Sequence, residues 1–211
     1  IAEKGLVDHS DSLGAAGRFG NGDVQWMTAG RGIIHSEMPE QEAGLMQGFQ
    51  LWVNLPAKEK LTEPQYQEFP ADQIAVETTE SGGEIRVIAG QTNAGTQGAV
   101  VNEFVKPTYL DISLKQGESF SQSISSQENS FIYVISGTLA VGEKQRLVTE
   151  KQLGILAEGN TIALSADVDT RFILVSATPL NEPVAKGGPF VMNTQDELRQ
   201  AVDDYHNGKF A

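Results

Sequence analysis

The segment GDVQWMTAGRGIIHSEMPE (residues 22–40) decides the fold assignment, because it joins a strand pattern to two side chains with ligand chemistry. Apolar and polar residues alternate over 24–28, as on a β-strand. Beyond a glycine turn, Ile33, His35 and Glu37 recur at a period of two. Residues i and i+2 of a strand project to the same side. We therefore expect His35 and Glu37 to point together, and Ile33 on the same face favours the interior of a barrel.

The pair His35 and Glu37 has two interpretations. An imidazole nitrogen and a carboxylate oxygen supply half of a site for non-haem iron, manganese, nickel or zinc. A carboxylate is costly to bury without a cation beside it. The alternative is a histidine and a glutamate at a strand end that only hydrogen-bond to their neighbours. The pair by itself leaves both interpretations open.

The rest of the 211-residue chain reads as many short strands followed by one helix. Its 22 glycines recur between short alternating segments, which is typical of strands joined by turns. The glycine-rich stretch 90–98 predicts a loop near a boundary between two halves. Helical spacing is confined to 195–206, preceded by the capping-box pair Thr194 and Glu197. Strands are expected at 84–89, 108–114, 131–135, 138–141, 161–164 and 171–177, with a further apolar run at 49–55.

Charge and composition exclude several classes of function. The formal net charge of -13 repels phosphate backbones, so we expect no direct nucleic-acid binding. The absence of cysteine excludes disulfides, zinc–thiolate sites, iron–sulfur clusters and a cysteine nucleophile, and it is compatible with the cytoplasmic location that we expect. No apolar run approaches the ~20 residues that span a bilayer. The opening residues also lack the apolar region of a signal peptide.

Residues 22–40 resemble the second conserved motif of the cupin superfamily, with Thr28 in place of the usual proline and four residues between Gly30 and His35. That variant is similar to the pirin family, and the resemblance runs nearly from end to end. Four further strings carry it: QLWVNLP (50–56), EPQYQEF (63–69), SFIYVISG (130–137) and GPFVMNT (188–194).

The resemblance implies an all-β bicupin fold, in which two β-barrel (double-stranded β-helix) domains are followed by a C-terminal α-helix. We expect an N-terminal cupin domain at 1–95, incomplete at its start, and a C-terminal cupin domain at 96–190. The remaining residues, 191–211, are expected to form the C-terminal helix and tail.

The resemblance also implies a mononuclear metal in the N-terminal barrel, Fe(II) or another divalent transition metal. Its ligands in the family are two histidines of a His-x-His motif and the residues that match His35 and Glu37. The His-x-His motif lies upstream of the strand that residues 1–7 resemble, so this chain carries two of the four ligands. His9 matches a family position that is not a ligand, and His206 lies on the terminal helix. We therefore expect the metal in the complete protein and weak or no binding in this chain.

The missing first strands have a second consequence. They would leave strand edges of the N-terminal barrel unpaired. Either these strands exist elsewhere in the full protein, or the open edge pairs with a second chain in a homodimer.

The C-terminal half keeps the spacing of the first cupin motif from Gly117 to Gly137. Its ligand positions hold Ser123, Ser125 and Ser130, and Ile162 stands where the second motif has its histidine. Hydroxyl and alkyl groups are poor ligands for transition metals. We expect a barrel that kept its fold and lost its metal, although ordinary strand serines without that history predict the same.

Three functions follow from the resemblance. The first is a quercetin (flavonol) 2,3-dioxygenase with a mononuclear non-haem metal and a flavonol-like small-molecule substrate. The second is an iron-dependent regulatory adaptor that binds transcription factors or metabolic enzymes. The third is a truncated, metal-free scaffold. Metal content and flavonol turnover separate the three.

Overall fold

The computed structural model of the protein describes residues 1–40 and 43–210, which are mainly β-strands. The chain forms two compact units, one from Ile1–Asp72 with the chain from Leu180 onward, and one from Gln73–Pro179. In the part of the chain that the structure describes, no helix has the length and apolar character needed to cross a bilayer. The predicted mostly-β architecture is confirmed.

The first unit begins with seven short strands arranged in three small antiparallel sheets. Their orders are β1-β6, β3-β2-β5 and β4-β7. A single 3₁₀ turn, Ala57–Glu59, precedes the last of them, and a second, Ala71–Gln73, follows it. The strands are β1 (Ala2–Lys4), β2 (Val7–Asp11), β3 (Ala16–Phe19), β4 (Val24–Thr28), β5 (His35–Pro39), β6 (Gln47–Gly48) and β7 (Gln65–Phe69).

The turn between β4 and β5 depends on two glycines. Gly30 and Gly32 have φ angles of 50° and 130°, a region that residues with a Cβ rarely adopt. A Cβ on Gly30 would also meet the carbonyl oxygen of Thr62, which accepts a hydrogen bond from the Arg31 backbone at 2.8 Å. Because this glycine-dependent turn occupies the approach to β5, regular strand pairing begins at His35, after Ile33.

The second unit contains ten strands in two antiparallel sheets that enclose an apolar core. The six-stranded sheet has the order β15-β12-β17-β10-β9-β8, and the four-stranded sheet β11-β16-β13-β14. The strands are β8 (Ala75–Thr78), β9 (Glu84–Ala89), β10 (Thr108–Leu114), β11 (Ser119–Ser123), β12 (Asn129–Ser136), β13 (Thr138–Val141), β14 (Arg146–Thr149), β15 (Leu153–Ile155), β16 (Thr161–Ala166) and β17 (Thr170–Ala177).

The chain then returns to the first unit through β18 (Ala185–Gly187), β19 (Phe190–Met192) and the helix α1 (Gln195–His206). The predicted capping box is confirmed, because the Thr194 hydroxyl accepts from the Glu197 backbone at 3.2 Å and the Glu197 carboxylate accepts from the Thr194 backbone at 2.8 Å. The Phe190 and Tyr205 rings, 6.2 Å apart between centroids, join the helix to the hairpin below it.

The compact units have different limits from the domains predicted at 1–95, 96–190 and 191–211. Strands β8 and β9 belong to the second unit because β9 pairs with β10. The helix belongs to the first unit. The apolar run 49–55 has no regular secondary structure, and its exposed Trp52 lies 5.1 Å from the Lys186 ammonium group.

Candidate metal centre

The candidate site lies in the first unit, where β2 and β5 pair in an antiparallel register. His9 is directly opposite Glu37, and Asp11 is directly opposite His35. Residues opposite each other in such a pair have side chains on the same face, and so do residues two positions apart. The register therefore brings two imidazoles and two carboxylates to one face.

Three of these side chains form a cluster with metal-ligand chemistry. One ligand atom from each of His9, His35 and Glu37 lies within 4.8 Å of the other two. The rings of His9 and His35 are 5.8 Å apart between centroids and tilted by 54°. It is the one such group of three among the side chains that the structure describes. His35 and Glu37 lie together as expected, but both are exposed, whereas His9 is only 3% exposed. The role of His35 and Glu37 as ligands stays a prediction.

The two ring nitrogens of His9 have different surroundings. Nε2 lies 3.2 Å from Asp11 Oδ2 and donates to it, because an ionised carboxylate only accepts. Nδ1 is buried and has no hydrogen-bond partner in the part of the chain that the structure describes. The Tyr66 ring stacks on the imidazole at 4.5 Å between centroids, with 10° between the planes. The ring of His9 is thus held by a hydrogen bond at one edge and by the Tyr66 ring against one face.

Asp11 is held in turn by the β2–β3 hairpin. Its Oδ1 accepts from the backbone N–H groups of Leu13 and Ala15 at 2.9 and 3.0 Å. Burial by itself would raise the pKa of Asp11, but the hydrogen bonds from His9, Ala15 and Leu13 together outweigh it and lower the pKa. The carboxylate therefore stays ionised and keeps its acceptor role toward His9.

A second polar group reaches the site from the β4–β7 sheet. The Tyr66 hydroxyl donates to Glu68 Oε2 at 2.7 Å and accepts from the Gln25 side-chain amide. Burial raises the pKa of Tyr66 strongly, aided by the hydrogen bond to Glu68 and the charges of Glu68, Asp11 and Glu37. The phenol is therefore a hydrogen-bond donor at neutral pH and not a base.

The sequence did not predict that His9 belongs to this cluster, because its position opposite Glu37 depends on the pairing of strands that are far apart in the chain. The only local signal was the spacing of His9 and Asp11 on one strand face, the same i, i+2 spacing as in His35 and Glu37. The third histidine, His206, lies on α1 with its ring 5.7 Å from Tyr205 and outside the cluster.

The C-terminal ligand positions lie in a different environment. Ser123 and Ser125 are exposed, and the buried Ser130 hydroxyl shares a hydrogen bond of 2.7 Å with Ser176. Ile162 is part of the apolar core. None of these four side chains offers an imidazole or a carboxylate to a metal.

Comparison with known proteins adds independent information. A family model described as "Pirin" matches residues 1–53, and one described as "Pirin C-terminal cupin domain" matches residues 109–211. A pirin-like protein from Caulobacter vibrioides is 41% identical over 208 residues, which are 98% of this chain and 74% of that protein. Human pirin is 41% identical over 214 residues, covering 99% of this chain and 72% of its own length.

One similar solved structure is that of quercetin 2,3-dioxygenase from Acinetobacter baumannii. It is 37% identical, has a TM-score of 0.92, and the alignment covers 100% of this chain and 74% of that chain. Together with the cupin family match, this similarity confirms the predicted bicupin fold.

Proposed function

The chain belongs to the pirin family, and from this premise we propose that it is a metal-dependent dioxygenase acting on a flavonol-like substrate. The observation that carries the proposal is the cluster of His35, Glu37 and His9 within 4.8 Å on one sheet face. The similarity to a quercetin 2,3-dioxygenase supports the reaction type.

The residues present fit a divalent transition metal. Imidazole nitrogen and carboxylate oxygen are the donors that non-haem Fe(II), Mn(II), Ni(II) and Cu(II) accept. His35 and Glu37 would hold the ion. Among the described residues, the buried His9 Nδ1 has no hydrogen-bond partner, which supports a polar occupant near the cluster. When bound, the metal would supply a Lewis acid with open positions for adjacent substrate oxygens.

The chain's own residues would bind and orient the substrate. The exposed side of His35 and Glu37 leaves a planar molecule free to approach. The buried Asp11 carboxylate, with its lowered pKa, keeps negative charge behind the cluster and balances the charge of a cation. Tyr66 would keep its proton and hold Glu68 through the hydrogen bond that its hydroxyl donates.

The test is turnover by metal-reconstituted protein. Loss of quercetin absorbance and uptake of dioxygen are measured for the wild type, His35→Ala and His206→Ala. We expect activity in the wild type and in His206→Ala, where the histidine removed lies on α1, and none in His35→Ala. A fully metal-loaded wild type that consumes neither quercetin nor dioxygen would contradict the proposal.

A regulatory adaptor is the second candidate, favoured by the formal net charge of -13, which suits basic protein partners. The adaptor would need the bound metal but no catalytic turnover, whereas the dioxygenase needs both. Metal-loaded protein that leaves quercetin intact, yet changes its binding to a partner protein when the metal is removed, would favour this function. The third expectation, a metal-free scaffold, predicts that the protein does not take up metal during reconstitution.

A further inference from the structure

We propose that two copies of this chain associate through strand β15, which pairs antiparallel with β15 of a second copy and joins the two six-stranded sheets into one. β15 (Leu153–Ile155) is the terminal strand of its sheet, where it pairs with β12 on one side. The strand lies entirely in the second unit. The inference is therefore independent of the candidate metal centre and of the proposed function.

The hydrogen bonds to β12 show which backbone groups of β15 face outward. Leu156, just beyond the strand, donates to the Ser130 carbonyl at 3.0 Å, so these two residues form a hydrogen-bonded pair. Hydrogen-bonded and non-hydrogen-bonded pairs alternate in an antiparallel ladder. Gly154 therefore also faces β12, whereas the N–H and C=O groups of Leu153 and Ile155 point away from it. Among the described residues, none hydrogen-bonds to these outward groups.

The side chains of β15 leave this edge open to another strand. Leu153 is 55% exposed and Ile155 74% exposed, on the same face as Tyr133 and Phe131, which lie opposite them on β12. Gly154 faces the core, where an added Cβ would lie 3.1 Å from a β12 side chain. Natural edge strands commonly carry a charged residue or a proline that prevents pairing with another chain, and β15 has neither.

A second copy is the partner that fits, because the edge is complementary to itself. With Leu153 opposite the partner's Ile155, each such pair exchanges two backbone hydrogen bonds, and all outward groups of the strand are satisfied. The two-fold axis then passes between Gly154 and the partner's Gly154. This central pair is of the non-hydrogen-bonded kind, in which the Cα atoms approach to about 4.5 Å. The leucine and isoleucine side chains of both copies meet on the outer face and leave water.

The contact is short, so the dimer should be weak. Stable interfaces bury about 1,200–2,000 Å² of surface, and a pair of three-residue strands supplies only part of that area. Each chain also carries a formal net charge of -13, so the copies repel each other at long range. We therefore expect a monomer–dimer equilibrium that depends on protein concentration and that added salt shifts toward the dimer.

The first experiment measures the dimer dissociation constant of the full chain by sedimentation equilibrium at increasing protein concentration. Ile155→Lys places a charge in the contact, and the exposure of this side chain means that the fold tolerates the change. Loss of one buried apolar side chain is worth about tenfold or more in an equilibrium constant, so we expect at least that increase in the dissociation constant. Val76→Lys is the matched control. Val76 is 46% exposed on β8, the terminal strand at the other edge of the same sheet, so the control should match the wild type.

The second experiment tests the register, and it uses the absence of cysteine from the chain. The Leu153→Cys and Ile155→Cys proteins are treated with oxidised glutathione, separately and as a mixture. Directly opposite residues have Cα atoms about 5.5 Å apart, within the range of a disulfide, whereas diagonal neighbours are about 7–8 Å apart. We expect covalent dimers in the mixture and few in either variant alone.

Each outcome bears on the inference. A wild type that stays monomeric at every concentration would overturn it, and the edge would then be left for an extended segment of another protein. A dimer that Ile155→Lys does not weaken would overturn it as well, because the copies would meet elsewhere. A mixture without crosslinks, or efficient crosslinking of Leu153→Cys alone, would contradict the register. Weaker association of Ile155→Lys alone, together with crosslinking confined to the mixture, would support pairing through β15.

Discussion

The two carboxylate oxygens of Asp11 accept hydrogen bonds from different parts of the structure. Oδ1 accepts from the turn backbone at Leu13 and Ala15, and Oδ2 accepts from His9 Nε2. Both oxygens therefore already accept hydrogen bonds. Replacing the carboxylate by an amide therefore removes an acceptor that either the turn or the histidine needs.

Asp11→Asn tests that division. An amide NH₂ facing His9 cannot accept from Nε2, so a buried hydrogen-bonding group loses its partner. We expect the free energy of unfolding to fall by about 1–3 kcal/mol, measured by urea unfolding. Asp8→Asn is the matched control, because Asp8 lies on the same strand and pairs with the exposed Arg18. An unchanged free energy of unfolding in Asp11→Asn would show that the hydrogen bonds of Asp11 to the turn and to His9 do not stabilise the fold.

Glu118 predicts a pH dependence of stability in the second unit. Hydrogen bonds from the Thr79 hydroxyl and from the Lys115 backbone, the latter at 2.6 Å, lower the pKa of Glu118 below 4.5 in the folded protein. An unfolded chain then binds the proton first as pH falls. The contribution of Glu118 is therefore present in full above pH 4.5 and is lost as pH falls through its folded pKa.

The measurement is the free energy of unfolding by urea between pH 3 and 7. We expect Glu118→Gln to be less stable than the wild type at pH 7 and to lose less stability below pH 4.5. Thr79→Val keeps the Glu118 carboxylate and removes the Thr79 hydroxyl that donates to it. We expect its loss of unfolding free energy at pH 7 to lie between those of the wild type and Glu118→Gln. Identical pH profiles for Glu118→Gln and the wild type would exclude this carboxylate as a source of acid sensitivity.

Among the elements, the turn before β5 decides where His35 and Glu37 lie. Gly30→Ala adds a Cβ at a φ of 50° and against the Thr62 carbonyl. Gly14→Ala is the control, because the φ of Gly14, 86°, is also positive but no atom of the described residues lies within 4 Å of an added Cβ. Positive φ alone should cost each variant about 1–2 kcal/mol. The clash should cost Gly30→Ala about 1–3 kcal/mol more, measured by urea unfolding. Equal losses would show that the Thr62 contact is not limiting.

The helix α1 gives the second prediction at this scale. Thr194→Ala removes the hydroxyl that caps the Glu197 backbone, and we expect a loss of about 1 kcal/mol in unfolding free energy. Thr194→Ser keeps the hydroxyl and should stay within a few tenths of a kcal/mol of the wild type. A Ser variant as unstable as the Ala variant would mean that the methyl group, not the cap, matters.

These elements also show what the sequence could and could not predict. The limits of α1 were predicted correctly because capping and helical spacing are local properties of residues 194–206. The strands β9, β10 and β13 were also predicted at their observed limits, because the runs of strand-forming residues and the turns beside them are local features of the sequence. The proximity of His9 to Glu37 could not be predicted, because it follows from the register of two strands far apart in the chain. The apolar run 49–55 forms no strand, since burial and strand pairing do not follow from composition alone.

Over the whole molecule, the two units differ in the side chains that their sheets bring together. The first presents an imidazole and carboxylate cluster on the β2–β5 face. The second is filled by apolar side chains, among them the fully buried Leu110, Ile132 and Phe172, and Ile162 belongs to the same cluster. An apolar interior packed in this way offers neither donors nor space to an ion. The homodimer inferred from an open strand edge stays a prediction that the molar mass in solution will decide.

The last prediction is therefore the metal stoichiometry of the chain. Protein loaded with Co(II) and freed of excess metal should retain one equivalent per chain by elemental analysis, and His35→Ala should retain almost none. Ile162→Ala enlarges the interior of the second unit without adding a donor, so it should also retain one equivalent. Two equivalents in the wild type would contradict the assignment of metal binding to the first unit. One equivalent that persists in His35→Ala would place the ion away from the β2–β5 face.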